Sequence, residues 1–81
     1  MKFDDDKIDE DVLALLYLTA FREKKDLPWR TWKGHDWSAL DRLCEKGFIS
    51  DPKNKAKSVV MTEEGYAKAK ALCEAKYGRK G

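Results

Sequence analysis

Hydrophobic residues recur along the chain in segments that predict four helices and two strands. The first helix is expected from about Asp6 to about Lys24, with Asp5 or Asp6 as its N-cap, because Pro28 prevents its continuation. Its apolar positions form two faces, so we expect a central helix that is covered on both sides, preferably by the rest of this chain and otherwise by a second copy. One face holds Ile8, Val12, Leu15, Leu16 and Thr19, and the other holds Leu13, Tyr17 and Phe21.

A second helix of a single turn is predicted after Pro28, which suits a first helical position, and Gly34 would end it. Aromatic residues interleaved with basic ones can stack on the bases of single-stranded nucleic acid, but in so small a protein a place in the core is the simpler interpretation. The residues concerned are Trp29 and Trp32, with Arg30 and Lys33 on the exposed side.

The third helix is expected to begin after Asp36 or at the Ser38-x-x-Asp41 capping box and to end at Lys46, where Gly47 closes it. A strand at about 48–50, a loop at 51–57 and a strand at about 58–61 then predict a hairpin. Thr62 is expected to cap the last helix, and Gly78 is expected to end it. The sequence therefore predicts one mainly α domain over residues 1–81: helix, short helix, helix, two-stranded antiparallel hairpin, helix.

Composition and charge narrow the class of protein. Hydrophobic residues make up 42% of the chain and charged residues 40%, which is typical of a globular domain rather than a disordered chain. The longest apolar stretch, residues 12–21, is too short to cross a bilayer, and no secretory leader is seen, so we expect a cytoplasmic protein without a membrane partner. Residues 1–11 have a net charge of −4, which helix capping explains, and the remaining residues have a net charge of +6.

No residue pattern predicts catalysis. Cys44 and Cys73 form no C-x-x-C pair and fall on apolar helix faces, so both are expected in the core. His35 is the single histidine and has no partner nearby in the sequence. No nucleophile has an adjacent base and no glycine-rich phosphate loop is present. We therefore expect no enzyme activity, no metal and no other cofactor.

Residues 39–72, "ALDRLCEKGFISDPKNKAKSVVMTEEGYAKAKAL", resemble the second half of MarR-type and PadR-type winged-helix regulators, which carry a helix-turn-helix. In those families an L-x-x-L-x-x-K-G-[FLI]-I run ends the recognition helix, and a basic wing leads into L-T-x-x-G. The whole chain also resembles a group of short bacterial proteins of unknown function that share "KFDDDKIDE", "WKG-x-DW" and "GFISDP-x-x-KAKSV". The first resemblance implies a winged-helix fold whose third helix enters the DNA major groove while the wing contacts phosphate or the minor groove.

The first functional hypothesis is a weak or non-specific nucleic-acid-binding module related to transcription, with duplex DNA as its partner. Acids in the third helix nearly cancel its basic residues, whereas a helix that enters a groove normally has a positive surplus, so the wing lysines are expected to make the main phosphate contacts. The candidate residues are Lys53, Lys55 and Lys57 in the wing, Arg42 and Lys46 in the third helix, and Arg30 and Lys33 before it.

The alternative is a module for protein interaction or dimerisation that uses the same scaffold without binding DNA. Its partner would be a second copy of the chain or another protein. Exposed aromatic and apolar side chains mark such surfaces. The candidate residues are Leu13, Tyr17 and Phe21 on the second face of helix one, together with Trp29 and Trp32.

Overall fold

A computed structural model describes residues 2–78 of the chain. Within these residues, three α-helices and two β-strands follow in the order α1 (Asp5–Leu18), β1 (Arg30–Trp32), α2 (Trp37–Glu45), β2 (Ser58–Val60) and α3 (Glu63–Tyr77). The fold is mainly helical with a small antiparallel sheet, and its layout is winged-helix-like, as the sequence predicts. None of the helices in the described part has the length and apolar character needed to span a membrane.

The first helix is shorter than its hydrophobic pattern predicts. Asp4 is the N-cap, and its carboxylate accepts a hydrogen bond from the Lys7 backbone N–H at 3.2 Å. The helix ends at Leu18, so the longer predicted helix is wrong. The chain leaves the helix here because Phe21 pairs with Arg30, where each backbone N–H donates to the other residue's carbonyl at 2.8 Å. Basic residues that follow Phe21 therefore lie in a loop and not in the last helical turn.

The short second helix predicted after Pro28 is absent, because residues 30–32 form strand β1 and pair antiparallel with β2. An isolated helical turn leaves most of its backbone groups without partners, whereas pairing with β2 supplies them. Thr31 is β-branched and suits a strand. Its side chain is buried against α1, where its hydroxyl donates to the Leu16 carbonyl at 3.0 Å.

The predicted hairpin is present in a reduced form. Ile49 makes a single bridge with Met61, and the Ser50 N–H donates to the Val60 carbonyl at 2.9 Å. Strand β2 therefore lies between β1 and this short segment. Residues 51–57 form the connecting loop, and they leave the sheet at the end where β1 finishes.

The predicted boundary between α2 and the hairpin and the predicted cap of α3 are both confirmed. Gly47 has a positive φ of 81°, and the Phe48 N–H donates to the Leu43 carbonyl at 3.0 Å, as a Schellman closure requires. The Thr62 hydroxyl accepts from the Gly65 N–H at 2.9 Å at the start of α3. These local signals fix where the hairpin segment sits between the two helices.

Helix α1 is central, since it contacts α3, α2 and β1. The expectation that this chain covers both faces of α1 is therefore largely met, although Leu15 and Leu18 remain 39% and 56% exposed. The core is built around α1 and consists of Val12, Leu13 and Leu16 of that helix with Ala39, Leu40, Leu43, Ile49, Val59, Met61 and Ala69.

Candidate functional site

The basic residues named from the sequence separate into two groups in the structure. Arg42 lies on α2, Lys46 follows directly as the C-cap of that helix, and both face α1. The other five lie in β1, just after it, or in the 51–57 loop: Arg30, Lys33, Lys53, Lys55 and Lys57. The two groups have different electrostatic surroundings.

Asp9 of α1 is only 1% exposed, and it binds both Arg42 and Lys46. The Arg42 Nε donates to both carboxylate oxygens of Asp9 at 2.9 Å, and Arg42 Nη2 lies 2.8 Å from Oδ1. The Lys46 Nζ donates to Asp9 Oδ2 at 3.0 Å and to Asp6 Oδ1 at 3.3 Å. This network ties α1 to α2 through one buried carboxylate.

The charges in this network stabilise one another. Burial raises the pKa of Asp9, but the hydrogen bonds and the positive charges of Arg42 and Lys46 outweigh burial and hold the pKa below its ordinary value of 3.8. The hydrogen bond to Asp9 raises the pKa of Arg42 and that of Lys46. All three groups are therefore charged at neutral pH.

The solvent side of α2 is left without a free cation. Arg42 and Lys46 are the two basic residues between positions 36 and 46, and both are bound to Asp9. Glu45 is exposed and Asp41 is half-buried on the same helix. A helix with this balance repels the phosphates that flank a DNA groove. The structure therefore gives α2 no electrostatic advantage as a groove-reading helix.

Strand pairing brings the second group of basic residues together. The Cα atoms of Trp32 and Ser58 face each other across the sheet, and the Lys33 N–H donates to the Lys57 carbonyl at 3.2 Å. The Lys33 Nζ donates to the Asn54 carbonyl and to the Asn54 Oδ1, both at 2.8 Å. Lys33 is thereby fixed against the 51–57 loop, although the two are distant in sequence.

The outer face of the sheet carries Arg30 and Trp32, because alternation along β1 places Thr31 inside. The Arg30 side chain lies along the sheet toward Trp32: its Nε donates to the Ser58 Oγ at 2.9 Å and its Nη2 to the Ser58 carbonyl at 3.2 Å. Phe21 packs its ring 4.9 Å from the Trp32 ring. Trp32 nevertheless remains 53% exposed.

The three lysines of the 51–57 loop are all exposed, but their surroundings differ. Lys53 borders a depression of about 240 Å³ that is also lined by Asp41, Glu45 and Asp51. The negative charges of these acids offset the positive charge of Lys53. Lys55 and Lys57 take part in none of the ion pairs found within residues 2–78. The sheet-end surface is defined here as Arg30, Trp32, Lys33, Lys55 and Lys57.

The residues named for a protein-interaction surface do not form one exposed patch. Leu13 is 1% exposed and belongs to the core, so it offers no contact surface to a partner. Tyr17 and Trp29 are half-buried against Tyr66, with ring centroids 5.3 Å and 5.0 Å from its ring. Phe21 and Trp32 lie instead on the outer face of the sheet, where they contact each other.

Sequence reasoning missed two residues that organise these surfaces. Asp9 was interpreted as one of several capping acids, yet it lies three and four positions before Val12 and Leu13, which places it on the buried helix face. An acid at a core position is the signal that identifies it. Asn54, which holds Lys33 against the loop, has no comparable signal because its contact depends on strand register.

Within residues 2–78, no group of three or more His, Cys, Asp or Glu side chains is placed to hold a metal ion.

Comparisons with known proteins identify a family of unknown function. The family described as "Domain of unknown function (DUF6429)" matches residues 4–79. An uncharacterised protein of Sinorhizobium fredii, y4hR, is 50% identical over 72 residues, which cover 89% of this chain and 90% of that protein. No solved structure matches the chain.

Proposed function

The chain belongs to the DUF6429 family, and we propose that it binds nucleic acid weakly, with little sequence preference, through the sheet-end surface. One observation carries the proposal: strand pairing places four basic residues close together in the fold, with Arg30 in β1, Lys33 directly after it, and Lys55 and Lys57 in the adjoining loop. None of the four is in an ion pair within the described residues. Their charge is therefore available to an anionic partner.

A nucleic-acid backbone suits this arrangement because its phosphates are closely spaced and surrounded by condensed counterions. Each ammonium or guanidinium group that approaches a phosphate releases such counterions, and this release drives binding. With three or four cations, the affinity is modest and falls steeply as salt is added. The contacts orient the protein on the backbone but do not read bases, which accounts for the weak sequence preference.

The proposal departs from the groove-binding geometry of winged-helix regulators. In that geometry the third helix, here α2, supplies base contacts. Arg42 of α2 and Lys46 at its C-cap are bound to Asp9, and the exposed side of α2 is acidic on balance. We therefore assign the contact to the loop and the sheet and leave α2 outside it.

The alternative function, protein interaction or dimerisation, stays a prediction. On its candidate face of α1, Leu13 is buried in the core. The exposed large apolar side chains of that helix are Leu15 and Leu18. No observation indicates what would cover these two residues.

A charge-reversal pair tests the proposal. Lys55→Glu combined with Lys57→Glu places two negative charges at the sheet end, and we expect the dissociation constant for nucleic acid to rise at least about tenfold at low salt. Fluorescence anisotropy of a labelled oligonucleotide, measured at several salt concentrations, gives both the affinity and its salt dependence. Both lysines are exposed, so the variant is expected to fold as the native protein does.

The matched control is Lys7→Glu combined with Lys70→Glu, which changes the net charge equally at exposed positions on α1 and α3. We expect this control to retain the affinity within about threefold, as a longer-range effect. Equal losses in both double variants would mean that only net charge matters, and the assigned surface would be rejected. Absence of binding by the native protein at low salt would reject the function itself.

A further inference from the structure

We infer that the ligand of the sheet-end surface is single-stranded nucleic acid, with one base stacked on the Trp32 indole. This inference rests on the proposed function, and it specifies the kind of nucleic acid. The evidence is a comparison of the three tryptophans. They differ in how exposed their rings are and in which charged residues lie near them.

Trp32 offers an open aromatic surface that is supported from one side. Its ring packs against Phe21 at 4.9 Å between centroids with a 30° tilt, and 53% of the residue remains exposed. Strand pairing of Phe21 with Arg30 and of Trp32 with Ser58 fixes both backbones. A ring held in this way loses little freedom when a base stacks on it, so less of the stacking energy is spent on ordering the protein.

Trp29 cannot serve in this way. Its ring stacks on Tyr66 at 5.0 Å with an angle of 7° between the planes, and the Arg22 guanidinium lies 4.7 Å from its centroid. Trp37 is as exposed as Trp32, at 56%, but it follows Asp36, whose carboxylate caps α2. An acid next to Trp37 in the chain disfavours a nearby nucleotide phosphate.

Basic residues neighbour Trp32 in the sheet. The Arg30 side chain shares the outer face of the sheet with Trp32 and reaches Ser58, which faces Trp32 across the strands. Lys33 follows Trp32 directly and is bonded through its backbone to Lys57. A stacking ring beside cations that follow the backbone is the arrangement by which proteins bind single strands without reading their sequence.

Duplex DNA does not use such a ring well, because its base faces are already stacked inside the helix. A surface that acts by charge alone prefers the duplex, which has the higher charge density. A preference for the single strand therefore reports stacking. The bases, sugars and phosphates concerned are common to DNA and RNA, so both belong in the test.

The experiment compares oligo-dT, oligo-U and a mixed-sequence duplex of about 12 units each, by anisotropy at about 50 mM salt. We expect at least one of the single strands to bind more tightly than the duplex. Trp32→Leu, which keeps apolar contact with Phe21 but has no aromatic face, is expected to weaken single-strand binding about tenfold. Trp32→Phe, which keeps an aromatic face, is expected to stay within about threefold of the native protein.

Trp37→Leu is the matched control, since it removes an equally exposed tryptophan from the start of α2, and we expect no change in affinity. The stacking inference is overturned if the duplex binds as tightly as both single strands, or if Trp32→Leu and Trp32→Phe behave alike. If these results occur while Lys55→Glu with Lys57→Glu still raises the dissociation constant at least about tenfold, the proposed function survives without stacking. If no oligonucleotide binds, both proposals fail together.

Discussion

Gly65→Ala is expected to destabilise the fold by about 3 kcal/mol, because α3 approaches the preceding segment too closely to accept a methyl group. A Cβ built on Gly65 would collide with the Phe48 carbonyl oxygen and would lie 2.6 Å from the carbonyl carbon. Both atoms belong to the backbone that closes α2, and the Thr62 hydroxyl is also bonded to this segment. Relief therefore requires α3 to move away from the core. Urea denaturation followed by circular dichroism measures the change.

Gly34→Ala is the matched control for this prediction. A Cβ at Gly34 meets no atom within 4 Å, and its φ is not in the left-handed region. We expect alanine there to be neutral or to raise the free energy of unfolding by about 0.5 kcal/mol, since it restricts the unfolded chain. If Gly65→Ala were as harmless as Gly34→Ala, the result would contradict the close contact between α3 and the backbone of Phe48 that follows α2.

Asp9→Asn is expected to lower the free energy of unfolding by about 2 kcal/mol, because it removes the single buried partner of two cations. The loss is smaller than for a fully buried ion pair, since Arg42 and Lys46 keep 28% and 37% of their side chains exposed to water. Asp11→Asn is the control on the same helix. Asp11 pairs with Lys76 at the surface, where it is 59% exposed, so we expect a loss below about 0.5 kcal/mol.

The pH dependence of stability separates the Asp9 charge from other effects of the substitution. The pKa of Asp9 is lower in the folded protein than its ordinary value of 3.8, so the unfolded chain binds the proton more readily as the pH falls. The stabilisation is therefore complete above that value and is lost as the pH falls through the folded pKa. We expect the native protein and Asp9→Asn to differ most near neutral pH and to converge in acid. A difference that is constant down to about pH 2 would contradict an electrostatic role.

Local signals in the sequence predicted the parts of the fold that depend on local geometry. Gly47 closes α2 and Thr62 caps α3 because each requires only its own residue type and its near neighbours. Residues 30–32 were predicted as a helical turn and are a strand, because the partner that satisfies their backbone lies in β2, far along the chain. A strand of three residues is too short to show the alternation of apolar and polar side chains that predicts a strand. Its pairing with a distant strand therefore could not be predicted from the sequence.

The candidate site also combines residues that local sequence signals predict with residues whose placement depends on pairing or packing of distant segments. The exposed lysines of the 51–57 loop could be predicted from charge and turn residues alone. The placement of Lys33 and Trp32 beside that loop could not, since it depends on the register of β1 with β2. The binding of Arg42 by Asp9 could not be predicted either, because it depends on how α1 packs on α2.

The most direct test of the sheet-end surface is an amide NMR titration of the native protein with single-stranded oligo-dT at low salt. We expect the signals of Trp32, Lys33 and residues 54–58 to shift together, together with the Trp32 indole N–H, while α2 (Trp37–Glu45) stays unchanged. The shifts should weaken as salt is added, since cations supply the affinity. Shifts of the α2 signals as large as those of the loop would contradict the account and place that helix in the contact.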